Sequence, residues 1–365
     1  MRAQSVPTRS LTVTKLVFAS LNSARNSEDL ETVAKVLINA SARQASLPAS
    51  TPRLPFSSVQ LPERLRIGYF LDGALASLLI IISRELSVSS LLVPDGFCRA
   101  SPACARAVEQ SVDALRAQGH ELVLFTPPRM IDALELFVSL TSADGYSTLL
   151  SHLRSDPVDR SLFLTTLGPK IPWLVRAPVC WLLSRVIADE TMSRLVYASR
   201  VKSVRELMAE QARRSELSSE ALKTLWHGSN AFDFVLCPVQ ATPALKIGET
   251  ADLSPLSGAT FYWNVIDSSA GVVPVTKVDR KRDALPGDWL SARASTASKL
   301  VESRVYKDGV YDAEAMHGLP VGVQVVAPPH EDEKLLRFMR ILDDALGPRS
   351  FGPGEFAKAQ AKKEE

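Results

Sequence analysis

The chain has 365 residues, enough for one large domain or two ordinary ones with a sizeable core. Hydrophobic residues at 46% and charged residues at 22% exclude a disordered chain, and a formal net charge of +2 leaves no electrostatic footprint for nucleic acid as a partner. Four cysteines (Cys98, Cys104, Cys180, Cys237) without CxxC spacing and five scattered histidines call for no metal and no cofactor; they fit reduced, partly buried thiols in a cytoplasmic protein, with a metal or disulfide site at the cysteines as the alternative.

In chain order, residues 1–23 are basic, rich in serine and threonine and free of acids. They read as an irregular N-terminus, with a transit-peptide composition as the alternative. Over 24–37, Leu30, Val33, Ala34 and Leu37 recur at helical spacing, and Ser27 is placed to cap the helix. Residues 41–63, with their serines and prolines, read as an extended connection, and 66–70 as a short strand. Residues 74–92 are strongly apolar, but Arg84 and Glu85 interrupt them, and a membrane span needs about 20 mostly apolar residues. Ser101 and Pro102 then start a helix whose buried face is Ala105, Val108, Val112 and Leu115, and Gly119 ends it. Residues 121–125 form the next strand. Strand, helix and strand of these lengths predict a parallel crossover, hence a mixed, mainly parallel sheet with helices on both faces.

Helices are expected at 130–140 and 144–153. Residues 167–187 are apolar, carry Trp173 and Trp181, and interleave Lys170, Arg176 and Arg185. That composition suits a helix lying in a membrane interface, with Trp173, Leu174, Trp181 and Leu182 as the membrane-facing candidates. The alternative is a core helix pair covering the sheet. Residues 204–227 read as a long amphipathic helix with a solvated charged face. Residues 233–238 form a buried strand, 261–266 a helix packed on the sheet, and 272–278 another strand. Residues 277–311 are polar and hold Asp279-Arg280-Lys281-Arg282-Asp283, which reads as a surface excursion.

The strongest pattern comes last. Residues 317–329 are a valine-dense apolar run entered through Gly318-Leu319-Pro320 and stopped by Pro328-Pro329, which predicts a buried strand. Asp332 and Glu333 open a helix, where carboxylates favour the exposed N–H groups of the first turn. Its core face is Leu335, Leu336, Phe338, Met339, Ile341, Leu342 and Leu346. Residues 347–365 form a charged tail.

Three segments in order carry a family pattern: Asp233-Phe234-Val235-Leu236-Cys237-Pro238, then Asn264-Val265-Ile266-Asp267 with Ala270-Gly271-Val272-Val273-Pro274-Val275-Thr276, then His317-Gly318-Leu319-Pro320-Val321-Gly322-Val323-Gln324. Together they resemble the amidase signature family, in particular its fungal acetamidase-like and fatty-acid amide hydrolase members. The resemblance runs from residue 29 to residue 346, with gaps, and defines a partial domain over 24–346. It implies an α/β fold, the C-terminal part of the amidase signature fold, and a small-molecule amide or lipid amide as substrate. Residues 167–187 fall where fatty-acid amide hydrolase carries its membrane-binding cap, so membrane association joins the cytoplasmic expectation. His330 follows the closing strand where that enzyme has a bulky side chain near its acyl channel, which makes it the candidate substrate-binding residue.

The family passes almost directly from the strand at 66–70 into an acidic-glycine turn. Removing 73–94 would join Phe70-Leu71-Asp72 to Asp95-Gly96-Phe97 and restore that continuation. Residues 73–94 are therefore read as an anomalous insertion translated from a retained intron, a genuine lineage-specific insertion being the alternative.

Members of the family hydrolyse amides with a Ser-Ser-Lys arrangement: a lysine held neutral takes a proton relayed from the nucleophile, and a glycine-serine loop offers N–H groups to the oxyanion. This sequence contains no Gly-Gly-Ser-Ser-Gly-Gly run and no Gly-Ser-Ile-Arg segment. No catalytic residue is carried over, and the sequence is expected to match the C-terminal half of an amidase and to be inactive as given. A non-catalytic lipid- or membrane-associating remnant, or a truncated gene model, is the alternative. Ser268-Ser269-Ala270-Gly271, with Lys277 or Lys299 as base, is read as a hydrogen-bonded turn and not as a substitute site.

Overall fold

The computed structural model describes residues 27–43, 55–71, 97–290, 297–349 and 351. The expected irregular N-terminus and the 73–94 insertion lie outside these residues. Five strands, β1 (Arg66–Tyr69), β2 (Glu121–Leu124), β3 (Phe234–Pro238), β4 (Ser269–Lys277) and β5 (Pro320–Ala327), form one sheet in the order β2-β1-β3-β5-β4. β1 pairs in parallel with β2 and β3, while β5 runs antiparallel to both β3 and β4. The sheet is mixed: four strands share a direction and β5, inserted between β3 and β4, is reversed. The longer helices are α1 (Ser27–Arg43), α2 (Pro102–Ala117), α3 (Met130–Thr141), α4 (Trp173–Trp181), α5 (Glu190–Ala198), α6 (Val204–Ala221), α7 (Gly258–Val265) and α8 (Asp332–Leu346).

The central strands β3 and β5 are apolar on both faces because both faces are covered. On β3, Phe234 and Leu236 enter one core cluster, and Val235 and Cys237 enter another. On β5, Val321, Val323, Val325 and Ala327 join the first and Val326 the second, as the two-residue period of a strand requires. Helices α1, α2 and α8 pack on the first side, and Phe338 of α8 stacks on Phe234 with ring centroids 4.1 Å apart. Helices α3, α6 and α7 cover the second, and Phe137 of α3 stacks on Phe261 of α7 at 4.0 Å. The one polar side chain inside β5, Gln324, sits opposite Cys237 and accepts its thiol hydrogen at 3.7 Å.

Helix α2 follows its sequence signals. Pro102 fills the first turn, Ala105, Val108, Val112 and Leu115 are buried, and Gly119 takes φ +89° just beyond the end. Other expectations change. Ser27 is the first helical residue of α1, not the one before it, and its hydroxyl donates to Asp343 of α8 at 2.7 Å, joining the two helices. The helix expected at 144–153 shrinks to Ser147–Ser151. Helix α6 starts at a cap residue, Ser203. Ser203 Oγ accepts from the Glu206 N–H and the Glu206 carboxylate accepts from the Ser203 N–H, a capping box.

The largest correction concerns 277–311. It is a surface excursion only in part: Arg280, Lys281 and Arg282 are exposed, whereas Asp283, Trp289, Val305, Tyr306 and Tyr311 are buried. The last residue of the charged run turns inward because Asp283 has a partner, Arg106 of α2, and a paired charge can leave water where a lone one cannot. A second buried pair, Arg99 with Glu302 at 3.2 Å, holds the same region to the chain preceding α2.

Candidate functional site

Helices α4 and α5 form a hairpin on the outside of the molecule. Helix α4 buries one residue, Arg176. Trp173 is 74% exposed, Leu174 68% and Trp181 61%, and Val175, Leu182 and Val186 are also exposed. The sequence alternative of a core helix pair does not describe α4, whose large apolar side chains are exposed, although Leu183 just beyond it is buried. Phe163 and Leu164, from the preceding short helix, are exposed as well.

The inside of the hairpin is polar. Arg176 donates from Nη1 to the carbonyls of Val196 (2.7 Å) and Ser199 (2.6 Å), and from Nη2 to those of Gly168 (2.7 Å) and Ile171 (2.9 Å). Burial pushes its pKa below the ordinary guanidinium range. Arg176 is thus not one of the interleaved interfacial cations that its place in the sequence suggests; Lys170 and Arg185 are the exposed ones. Ser193 of α5 donates its hydroxyl to the Cys180 carbonyl at 3.0 Å, and the Cys180 thiol donates back to the Ser193 carbonyl at 3.6 Å. Lys202, just past α5, donates its amine to the carbonyls of Ala198 and Arg200; burial first, then the Arg200 charge, brings its pKa down to about 8.

Asp189 anchors the hairpin to the core. Its neighbour Ala188 holds φ +54°, which turns the chain into α5. The buried Asp189 carboxylate accepts from Met192 N (2.9 Å) at the start of α5, and from Ser298 Oγ (2.7 Å) and Leu300 N (3.0 Å) at the start of the Lys299–Glu302 helix. One side chain therefore serves two helix N-termini, each of which favours negative charge.

The remaining sequence candidates lie elsewhere. His330 is exposed, on the turn after β5, with φ +65°. Ser269 opens β4 and stands opposite Ala327, so the Ser268-Ser269 pair and His330 share one end of the sheet. Lys277 closes β4 opposite Pro320. At ~3.3 Å per strand residue it is roughly 26 Å from Ser269, far outside proton-transfer reach. Two surface cavities, of about 560 Å³ at the Lys277 end and about 270 Å³ beside Gln240 and Leu253, involve neither serine nor His330. Among the described residues no helix is long and apolar enough to cross a membrane.

The Amidase family model matches residues 83–336, more than half of the sequence. The chain belongs to the Amidase family. This amidase-family chain is 27% identical over 295 residues to fatty acid amide hydrolase 1 of Caenorhabditis elegans, covering 78% of itself and 43% of that protein. It is 24% identical over 255 residues to an acetamidase of Aspergillus oryzae, covering 69% of itself and 40% of the relative. A solved structure of fatty acid amide hydrolase shares the fold with a TM-score of 0.64 at 20% identity, over 89% of this chain and 47% of that one. The chain spans less than half the length of these relatives.

Proposed function

We propose that this amidase-family chain forms the scaffold and the lipid-facing part of a hydrolase of small-molecule or lipid amides. The observation that carries this reading is the outward apolar face of α4, in a chain similar to proteins named for fatty acid amides. A long-chain amide partitions into a bilayer, so a protein that takes it up gains from lying on that surface. Tryptophans anchor at the headgroup level and flanking cations meet anionic lipid, the pattern that Trp173 and Trp181 make with Lys170 and Arg185. His330, exposed beyond β5, is the residue we assign to substrate contact.

Hydrolysis needs a nucleophile, its base and oxyanion donors together. The sequence has no glycine-serine loop, and the Ser268-Ser269 pair has no lysine in reach along its own strand. We therefore assign no turnover to this sequence acting alone. An enzyme must lower the barrier by about 8–23 kcal/mol, and substrate binding by itself does not do so.

The test uses the purified chain in two assays. Co-sedimentation with phosphatidylserine-containing vesicles should occur and should fall sharply in W173S/W181S; unchanged binding by the double variant sinks the membrane reading. A primary fatty amide should show no turnover, and a fluorophosphonate should label no serine. Stoichiometric labelling, with turnover abolished when the labelled serine becomes alanine, would reassign the chemistry to this chain. Vesicle binding without turnover is also the signature of the second reading, a non-catalytic lipid-associating protein.

A further inference from the structure

Helix α4 presents its large apolar side chains to solvent, against the general drive to remove them from water. Something in the hairpin fixes its rotation. At 3.6 residues per turn, Leu174 and Trp181 lie about 160° and about 140° around the axis from Arg176, so whatever holds Arg176 inward holds them outward. Arg176 is 5% exposed and its fork reaches four carbonyls from two stretches of chain. Gly168 and Ile171 belong to the turn before α4; Val196 and Ser199 belong to the end of α5, where helix carbonyls carry partial negative charge.

The slot is tight as well as polar. A Cβ built on Gly168 would lie 2.7 Å from Ser199 Cβ and closer still to its hydroxyl. Only a glycine lets the Gly168 and Ser199 carbonyls converge on one guanidinium. A lysine cannot span them, because it lacks the planar fork.

We propose that Arg176 is the positioning residue of the hairpin: its guanidinium, seated in the carbonyl slot closed by Gly168 and Ser199, sets the rotation of α4 and so presents Leu174 and Trp181 as a preformed face. That this face meets lipid rests on the function proposed above; the rotation does not.

Hydrogen exchange in solution reads the rotation without any lipid. In R176M, similar in length but without the fork, exchange of amides in 171–187 should rise at least tenfold while β3 and β5 stay protected. R176K should fall between wild type and R176M. Binding to phosphatidylserine vesicles should fall several-fold in R176M, although the variant is more apolar. W173S/W181S should lose vesicle binding with exchange unchanged. Wild-type protection of 171–187 in R176M overturns the proposal. If R176M does not fold, G168A is read the same way, and wild-type protection there overturns it equally. Loosened exchange in R176M, with a wild-type chain that ignores vesicles, upholds the positioning role and sinks the membrane reading alone.

Discussion

Arg106 of α2 and Asp283, beyond β4, close a two-pronged ion pair across 177 residues of sequence: Nε to Oδ1 and Nη2 to Oδ2, both at 2.7 Å. Asp283 is fully buried, and its Oδ2 also accepts the Asp279 N–H at 2.7 Å. The same guanidinium donates to Thr276 Oγ1 and the Lys277 carbonyl, so one side chain pins the end of β4 and the segment after it to α2. The Asp283 carboxylate in turn raises the Arg106 pKa.

Breaking this pair from one side should be costly. D283A strands the Arg106 guanidinium against the core and is expected to lose about 3–5 kcal/mol of unfolding free energy. R106M/D283A should recover part of the loss, because no unpaired charge remains. Urea denaturation of the three chains measures it, and a single-variant loss under about 1 kcal/mol would contradict the pairing.

The Phe234–Phe338 stack joins the sheet to α8, and both rings are buried. F338A should cost about 3–5 kcal/mol, the range for emptying an aromatic site in a core. A double-mutant cycle with F234A should leave a coupling of about 0.5–1.5 kcal/mol from the ring contact itself. Strict additivity of the two losses would show that the rings do not touch in solution.

Substituting the outward tryptophans should leave folding stability alone. W173S/W181S is expected to change unfolding free energy by no more than ~0.5 kcal/mol, since neither ring is packed on the core. A loss of several kcal/mol would mean that the face is covered in the folded chain.

Lys202 gives a pH test. Burial lowers its amine from the ordinary 10.5 to about 8 in the folded chain. Between these values the unfolded chain holds a proton that the folded chain lacks, so this group's contribution to stability rises with pH over that window. Below pH 8 both states are protonated and the full penalty of burying the charge is present. The stability of K202M relative to wild type should therefore be greatest near pH 7 and decline towards pH 10. A pH-independent difference would place the amine in water.

Family and element type are legible in the sequence because both live in local patterns. The valine run of β5, the acidic first turn and apolar face of α8, and the proline and glycine that bound α2 each follow from neighbours a few residues apart. The tryptophan-bearing apolar stretch at 167–187 is legible too, though not which of its side chains are exposed.

Tertiary structure decided what depends on distant partners. Nothing local says that β5 enters between β3 and β4 in reverse, since strand order is set by pairing across long stretches of chain. Nothing in Asp279-Arg280-Lys281-Arg282-Asp283 distinguishes a solvated run from one whose last carboxylate is buried, until Arg106 arrives from α2. Arg176 reads as an interfacial cation among apolar residues, and it turns inward only because the end of α5 and the turn at Gly168 supply four carbonyls to receive it. Burial of a charge is a property of its partners, and a sequence names the charge without saying where its partners will stand.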